Sequence, residues 1–287
     1  MKTLFYFLLV VASMGLVSCE EPIAIELDKG TAQLAVDGLV IVDDGPQKIR
    51  LTLTDSYFSG NSNAGGVSGA TVKVQTSDGQ TFSFAEDPAN PGDYVFPDSI
   101  HADTGTYFLL SIQHQGETYQ SASLLMRGTS IDTLNQEERP AEFGNEAGTY
   151  LNFRARDPKG FGDFFWIRYS LNGKRDLRPG KILVSADAAF NPGSADGLEF
   201  IYPVRNSVNN EKGYLKGDQI EVELLSIDVE NYRFLFEMNT QINNTGLFAE
   251  PLANVRGNII NSRDPKGKQA VGCFGVARVA RASLTIQ

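Results

Sequence analysis

The sequence predicts a mainly β protein: a β-sandwich followed by a second β-rich region that carries one packed helix. Three observations lead there. Short segments alternate or run apolar with β-branched and aromatic residues. Clusters of Gly, Pro, Asn and Asp separate them at close spacing. One segment shows sustained helical periodicity behind a capping residue.

The 287 residues carry 25 Lys+Arg against 35 Asp+Glu, a formal net charge of −10, with two Cys and two His. Such a length supports one large or two medium domains with a real core. The acidic balance argues against a nucleic-acid partner, which needs a basic face for phosphates. Two Cys make neither a disulfide framework nor a four-thiolate zinc site. Two His leave little room for His-based catalysis.

The chain opens Met1-Lys2-Thr3, runs apolar from Leu4 to Ala12 and ends a small-residue stretch at Leu16-Val17-Ser18-Cys19. A positive start, a short apolar run and a small residue before the cut describe a secretory signal over residues 1–18. The run is too short to span a bilayer, which takes about 20 apolar residues. Leu-Val-Ser-Cys resembles a lipobox, where a thioether to diacylglycerol forms on the Cys and cleavage falls just before it. Cys19 is therefore the expected lipidation site, and a membrane is the expected partner through that anchor, with acyl chains each adding about 0.8 kcal/mol per buried CH₂. Cleavage removes one Lys and no acid, so the mature chain is more acidic still. Cys273 then remains as the single thiol, read as a small buried hydrophobe.

Residues 19–32 read as a lipidated tether. Glu20-Glu21-Pro22 resembles an export signal toward the outer face of an outer membrane; a solvated tether is the alternative. Strands are expected at Gln33–Val42, Lys48–Thr54, Ala70–Thr76, Thr106–His114 and Glu117–Leu124. Turns fall at Asp43-Asp44-Gly45-Pro46, Ser77-Asp78-Gly79, Asn90-Pro91-Gly92 and Gln115-Gly116. Leu51, Leu53, Val72 and Val74 should face the core, with Arg50, Thr52, Lys73 and Gln75 outside. Residues 33–127 thus form the expected sandwich domain, of immunoglobulin-like or transthyretin-like kind.

Residues 128–287 form the expected β-rich second domain. Its polar stretch Asn135–Gly148 reads as a mobile connection or surface loop. Strands resume at Tyr150–Arg156, Asp163–Leu171 and Gln219–Ile227. A helix near 229–243 follows, capped by Asp228, with Tyr232, Leu235, Phe236, Asn239 and Ile242 at helical spacing. Ala270–Ile286 reads as one or two strands. Arg156-Asp157-Pro158-Lys159-Gly160 recurs as Arg263-Asp264-Pro265-Lys266-Gly267, a pair expected to form two similar hairpin turns of type I.

Several pieces in fixed order carry a resemblance: Leu34-Ala35-Val36-Asp37-Gly38, Ile49–Thr54, Val67–Val74, Gly105–Leu109 with Gly116–Tyr119, Gly217–Ile220 before Ser226–Tyr232, Asn254–Ile259, and Val271–Val276. Together with the lipobox they resemble the Bacteroidota lipoprotein family catalogued as domain of unknown function 4249. The resemblance spans nearly the whole mature chain. It implies a secreted β-rich lipoprotein of the outer membrane, lipid-anchored on its periplasmic or cell-surface face, accessory to a TonB-dependent outer-membrane receptor as partner. It carries over no catalytic residue; Cys19 is the one position transferred. Gly-Ala-x-Val-x-Val and Gly-x-Tyr are also similar to carboxypeptidase-regulatory sandwiches, which serve as scaffold or contact surface.

Catalytic signals are missing from the sequence: no G-x-S-x-G elbow, no H-E-x-x-H, no P-loop and no dinucleotide fingerprint. No catalytic residue, metal ligand or cofactor is assigned. His101 and His114 read as solvated or core-edge residues. Asp43-Asp44 and Asp55 offer oxygens that suit calcium but lie in no EF-hand loop. Tyr57–Gly69 and Ser185–Gly197 around Phe190 read as long connections, with recognition loops as the alternative, and no ligand-binding residue is assigned. Asp163–Tyr169, rich in aromatics, reads as a strand buried on both faces. The function expected is a non-enzymatic accessory or binding lipoprotein. The alternatives are a surface glycan- or peptide-degrading hydrolase using carboxylates and a structural or adhesive surface module.

Overall fold

Alternation of apolar and polar residues builds the first half as strands with one wet and one dry face. The computed structural model describes residues 31–55, 65–142, 145–177, 180–189, 196–244, 246, 249 and 253–287. Cys19, the 1–18 signal, Glu20-Glu21-Pro22, most of the 19–32 tether, most of the Tyr57–Gly69 loop and Phe190 lie outside the described residues.

The first strands are β1 (Leu34–Ile41), β2 (Gln47–Leu53), β3 (Thr71–Thr76), β4 (Thr81–Glu86), β5 (Asp93–Phe96), β6 (Tyr107–His114) and β7 (Glu117–Leu124). β1, β2 and β5 pair in that order, as do β3, β6 and β7. β4 joins the two groups, pairing β3 through Thr81–Phe84 and β5 through Ala85 and Glu86. Val36, Val40, Ile49 and Leu51 meet Val72, Val74, Phe108, Leu110 and Ile112 in one buried core. That is the expected sandwich. Leu53 departs from the pattern: it is 43% exposed. β5 covers β2 only from Gln47 to Arg50, so Leu53 has β1 beside it, at Leu34, but no β5 on its other side.

The second half adds β8 (Ile131–Arg139), β9 (Gly148–Ala155), β10 (Phe164–Leu171), β11 (Lys174–Arg175), β12 (Leu183–Ala186), β13 (Gln219–Ile227), β14 (Ile260–Asn261) and β15 (Ala270–Thr285), with helices α1 (Tyr202–Asn206) and α2 (Val229–Ile242). The stretch expected as a mobile loop, Asn135–Gly148, begins instead inside β8 and ends at the start of β9, and the two strands form their own ladder. β8 pairs with β9 alone, so Asn135, Gln136, Glu137 and Glu138 stay in reach of water. The backbone ladder, with only Ile131 and Leu134 packed on the core, holds the strand, and so thin an apolar pattern gave no periodic signal.

α2 matches its sequence expectation closely. Asp228 is extended and its carboxylate accepts from the Asn231 amide, which satisfies one of the orphan donors of the first turn. Tyr232 and Leu235 are buried; Phe236 is half exposed and stacks on Tyr232.

β15 is a single strand that changes partner halfway. Ala270–Ala277 pair in parallel with β1, and Arg278–Thr285 pair antiparallel with β13. One continuous strand therefore enters both the sandwich and the second sheet, and Ala32–Gln287 forms one compact unit. Two glycines of Val271–Val276 serve this passage. A Cβ on Gly272, whose φ is +96°, would fall 2.0 Å from the Val36 carbonyl oxygen, and one on Gly275 would fall 2.3 Å from Asn231 Oδ1. Neither space admits a side chain.

The repeated pentapeptide does not form two hairpin turns. Asp264 begins a turn closed by the Gly267 amide on its carbonyl. Arg156–Gly160 links β9 to β10, which do not pair, and Asp157 is 1% exposed. β14 and β15 do not pair either. Identical residues took different paths because the first copy is drawn into a buried polar site and the second remains in water.

Candidate functional site

Three elements leave a groove between them. β1 turns Ala35, Asp37 and Leu39 away from the sandwich core. β10 presents Trp166 and Arg168, and α2 lays Phe234, Met238 and Ile242 along the opposite wall. Arg175–Leu177 and Lys181–Ile182 close one side, and the cavity measures about 820 Å³. Its walls are mostly apolar, with the basic side chains Arg50, Arg168, Arg175 and Lys181 and the acids Asp37 and Asp176 among them, a mixture common in ligand pockets.

Two of these basic side chains, Arg168 and Arg175, meet at one carboxylate just behind the groove. Glu223 accepts from Arg168 at 2.8 Å, from Arg175 at 3.1 Å and from Arg281 at 3.1 Å. Arg168 also lies over the Trp166 ring, 5.0 Å from its centroid, a stacking that fixes its plane. Burial pulls the Arg168 pKa down to about 10; Glu223 works against that fall, and the neighbouring Arg175 and Arg281 add to it. Burial of Arg168 is tolerated because its charge is paired. Arg50, shared between the groove and Asp93, adds a further cation. On the floor, Lys181 Nζ stands 5.7 Å from the Tyr169 ring centroid, and the Tyr169 hydroxyl donates to Asp176 at 2.8 Å. Cys273 closes the inner end. Its thiol donates to Asn231 Oδ1 at 3.2 Å, and burial pushes its pKa well up, so it stays a thiol and no nucleophile.

The residues singled out by sequence fall elsewhere. Asp43 bonds His101 and Arg278, and Asp44 bonds Arg281, so these acids are held by cations rather than gathered for a metal. The His101 hydrogen bond, with Arg278 beside it, keeps the Asp43 carboxyl below its ordinary range. His114 sits at the end of β6, where burial lowers its pKa. Asp163–Tyr169 supplies β10, with Phe165, Ile167 and Tyr169 in the core and Trp166 partly buried against the groove. Sequence reasoning missed the groove because its walls come from residues 35–39, 166–182 and 234–242, and no local spacing links them. Trp166-x-Arg168, a single Trp two residues from a basic side chain on a strand, is the signal that was there.

An all-β sandwich continued into a second sheet, with a helix-walled groove at the junction, is thus the class of protein the fold defines. The family model described as Domain of unknown function (DUF4249) matches residues 20–283, and the chain belongs to that family. No curated protein matches it.

Proposed function

We propose that the protein is a lipid-anchored accessory protein of the outer membrane, tethered through Cys19 and assisting a TonB-dependent receptor, with the groove as its binding site. The groove is the single observation that supports binding over chemistry. It offers apolar walls and basic side chains, two of them held in place by Glu223, but the thiol within it is protonated. A molecule with an apolar body and an anionic end, or an extended chain segment of that character, suits such a lining. The lipobox supports the anchor; no helix among the described residues is long and apolar enough to cross a membrane.

Two measurements test this. The Cys19→Ala form should leave the membrane fraction and fail to incorporate labelled fatty acid. The anchored protein should co-purify with an outer-membrane barrel from solubilised membranes, and Met238→Glu, which sets a charge in the apolar wall, should weaken that recovery or the binding of an anionic amphiphile at least tenfold. A wild-type pull-down without any barrel would overturn the transport reading.

A further inference from the structure

A second site lies away from the groove, where β9, β10 and β12 come to an end together. Asp157 follows β9, Asp163 precedes β10 and Asp187 follows β12. Antiparallel pairing of Phe164 with Ala186 sets Asp163 beside Asp187, and the Asp187 amide donates to the Asp163 carbonyl at 2.8 Å. All three side chains are buried, and one carboxylate oxygen from each lies within 4.8 Å of the others.

Three carboxylates do not gather in a dry place without compensation. Arg127 supplies part of it. Its Nε donates to Asp163 at 2.8 Å and its Nη2 to the other Asp163 oxygen, and the same guanidinium reaches the carbonyls of Pro158, Lys159 and Gly160. Asp187 accepts a long bond from the Gly162 amide at 3.4 Å. Asp157 Oδ2 accepts from the Gly197 amide at 2.9 Å, but Asp157 Oδ1 is buried with no hydrogen-bond partner. Asp196, whose side chain accepts from the Gly160 amide at 2.7 Å, adds another acid nearby. Burial, opposed by the Gly197 amide and reinforced by Asp163, Asp187 and Asp196, drives the Asp157 carboxyl up to about 6.

We propose that Asp157, Asp163 and Asp187 hold a divalent cation of calcium size, with the orphaned Asp157 Oδ1 as one of its ligands. Calcium binds oxygen at about 2.3–2.6 Å, so oxygens on opposite sides of one ion stand about 4.6–5.2 Å apart. The three oxygens, within 4.8 Å of one another, leave room for an ion of that size, whereas magnesium keeps several waters and is held through one or two carboxylates rather than three. Carboxylates on three separate strand ends give the ion a structural task. It would lock β9, β10 and β12 together. This inference is independent of the groove and of any transport role.

The test uses the full chain stripped with EGTA and titrated with CaCl2. Calorimetry should find one site per chain with a dissociation constant of roughly 10⁻⁴ M, as for extracellular calcium modules. A hundredfold excess over that value should raise Tm by roughly 5–10 °C. Asp157→Asn should abolish both responses, and if that variant does not fold, Asp187→Asn takes its place. No heat and no Tm shift at about 10 mM CaCl2 would overturn the site, since that is well above the range of such modules. An unchanged response in both variants would place the ion elsewhere and overturn it equally. An equal response to MgCl2 would overturn the choice of calcium.

Discussion

Asp228 and Asp157 are both buried aspartates beside a strand end, and they are treated in opposite ways. Asp228 receives four hydrogen bonds. Ser123 Oγ at 2.6 Å and the Leu124 amide at 3.0 Å reach one oxygen; the Asn231 amide at 2.9 Å and its Nδ2 at 2.7 Å reach the other. The knot extends outward, since Ser123 Oγ accepts from the Val276 amide and Asn231 Nδ2 donates to the Phe274 carbonyl. β7, α2 and β15 are joined there without any external group. Asp157 has one donor and two acidic neighbours. Full satisfaction marks a carboxylate whose work is finished within the chain, and a shortfall marks one that awaits a ligand.

Removing the centre of the satisfied knot is the largest break available. Asp228→Ala would strip the α2 cap and leave Ser123, Leu124 and Asn231 without their acceptor, at a cost of about 3–5 kcal/mol in urea unfolding. A loss under about 1 kcal/mol would mean that water replaces the carboxylate and that the knot is not structural. Crowding the same knot from the other side should cost somewhat less. Gly275→Ala forces a methyl against Asn231 Oδ1 and should lower stability by about 2 kcal/mol.

Asp157→Asn should have the opposite sign. In EGTA at neutral pH it removes one of three crowded charges and gives Asp163 or Asp187 a donor, so Tm should stay level or rise by roughly 2 °C. A drop as large as that of Asp228→Ala would erase the distinction between the two sites.

Asp93 is an intermediate case, and its effect should be the smallest. Burial alone would raise its pKa, but the hydrogen bonds from Arg50 and Lys48, with their charges, hold it below the ordinary value. Its contribution is therefore present above the unfolded pKa near 4 and is lost as pH falls through the lower folded value. Asp93→Asn should cost roughly 1 kcal/mol at pH 7, and the difference from the parent should shrink as pH falls below the unfolded value and vanish once pH is under the lowered folded one. A gap that persists in acid would assign the loss to packing rather than charge.

Much of the knot was legible in the sequence. Asp228 ahead of a periodic segment is a capping signature, and Ser226–Tyr232 and Val271–Val276 stood out as pieces of a family pattern. The acidic site was not legible. Asp157 belongs to a repeat whose second copy, at Asp264, is an exposed turn, and composition cannot tell the copies apart. Asp187 lies far along the chain from Asp163, and only the register of β10 against β12 makes them neighbours. β8 escaped for a related reason, because a strand that packs only Ile131 and Leu134 on the core and depends mainly on its ladder leaves no hydrophobic period.

By itself the sequence determined the β character, five of the seven strands of the first half and the turns between them, with β4 and β5 missed, the extent and cap of α2, and the lipobox at Cys19 as an expectation. Those depend on neighbours within a few residues: side-chain alternation, turn chemistry and capping are local. Tertiary structure alone decided the exchange of partners along β15, the groove between β1, β10 and α2, and the meeting of three aspartates. Each of these brings together residues distant along the chain, and hydrogen-bond register and burial, which no local pattern records, set which of them meet.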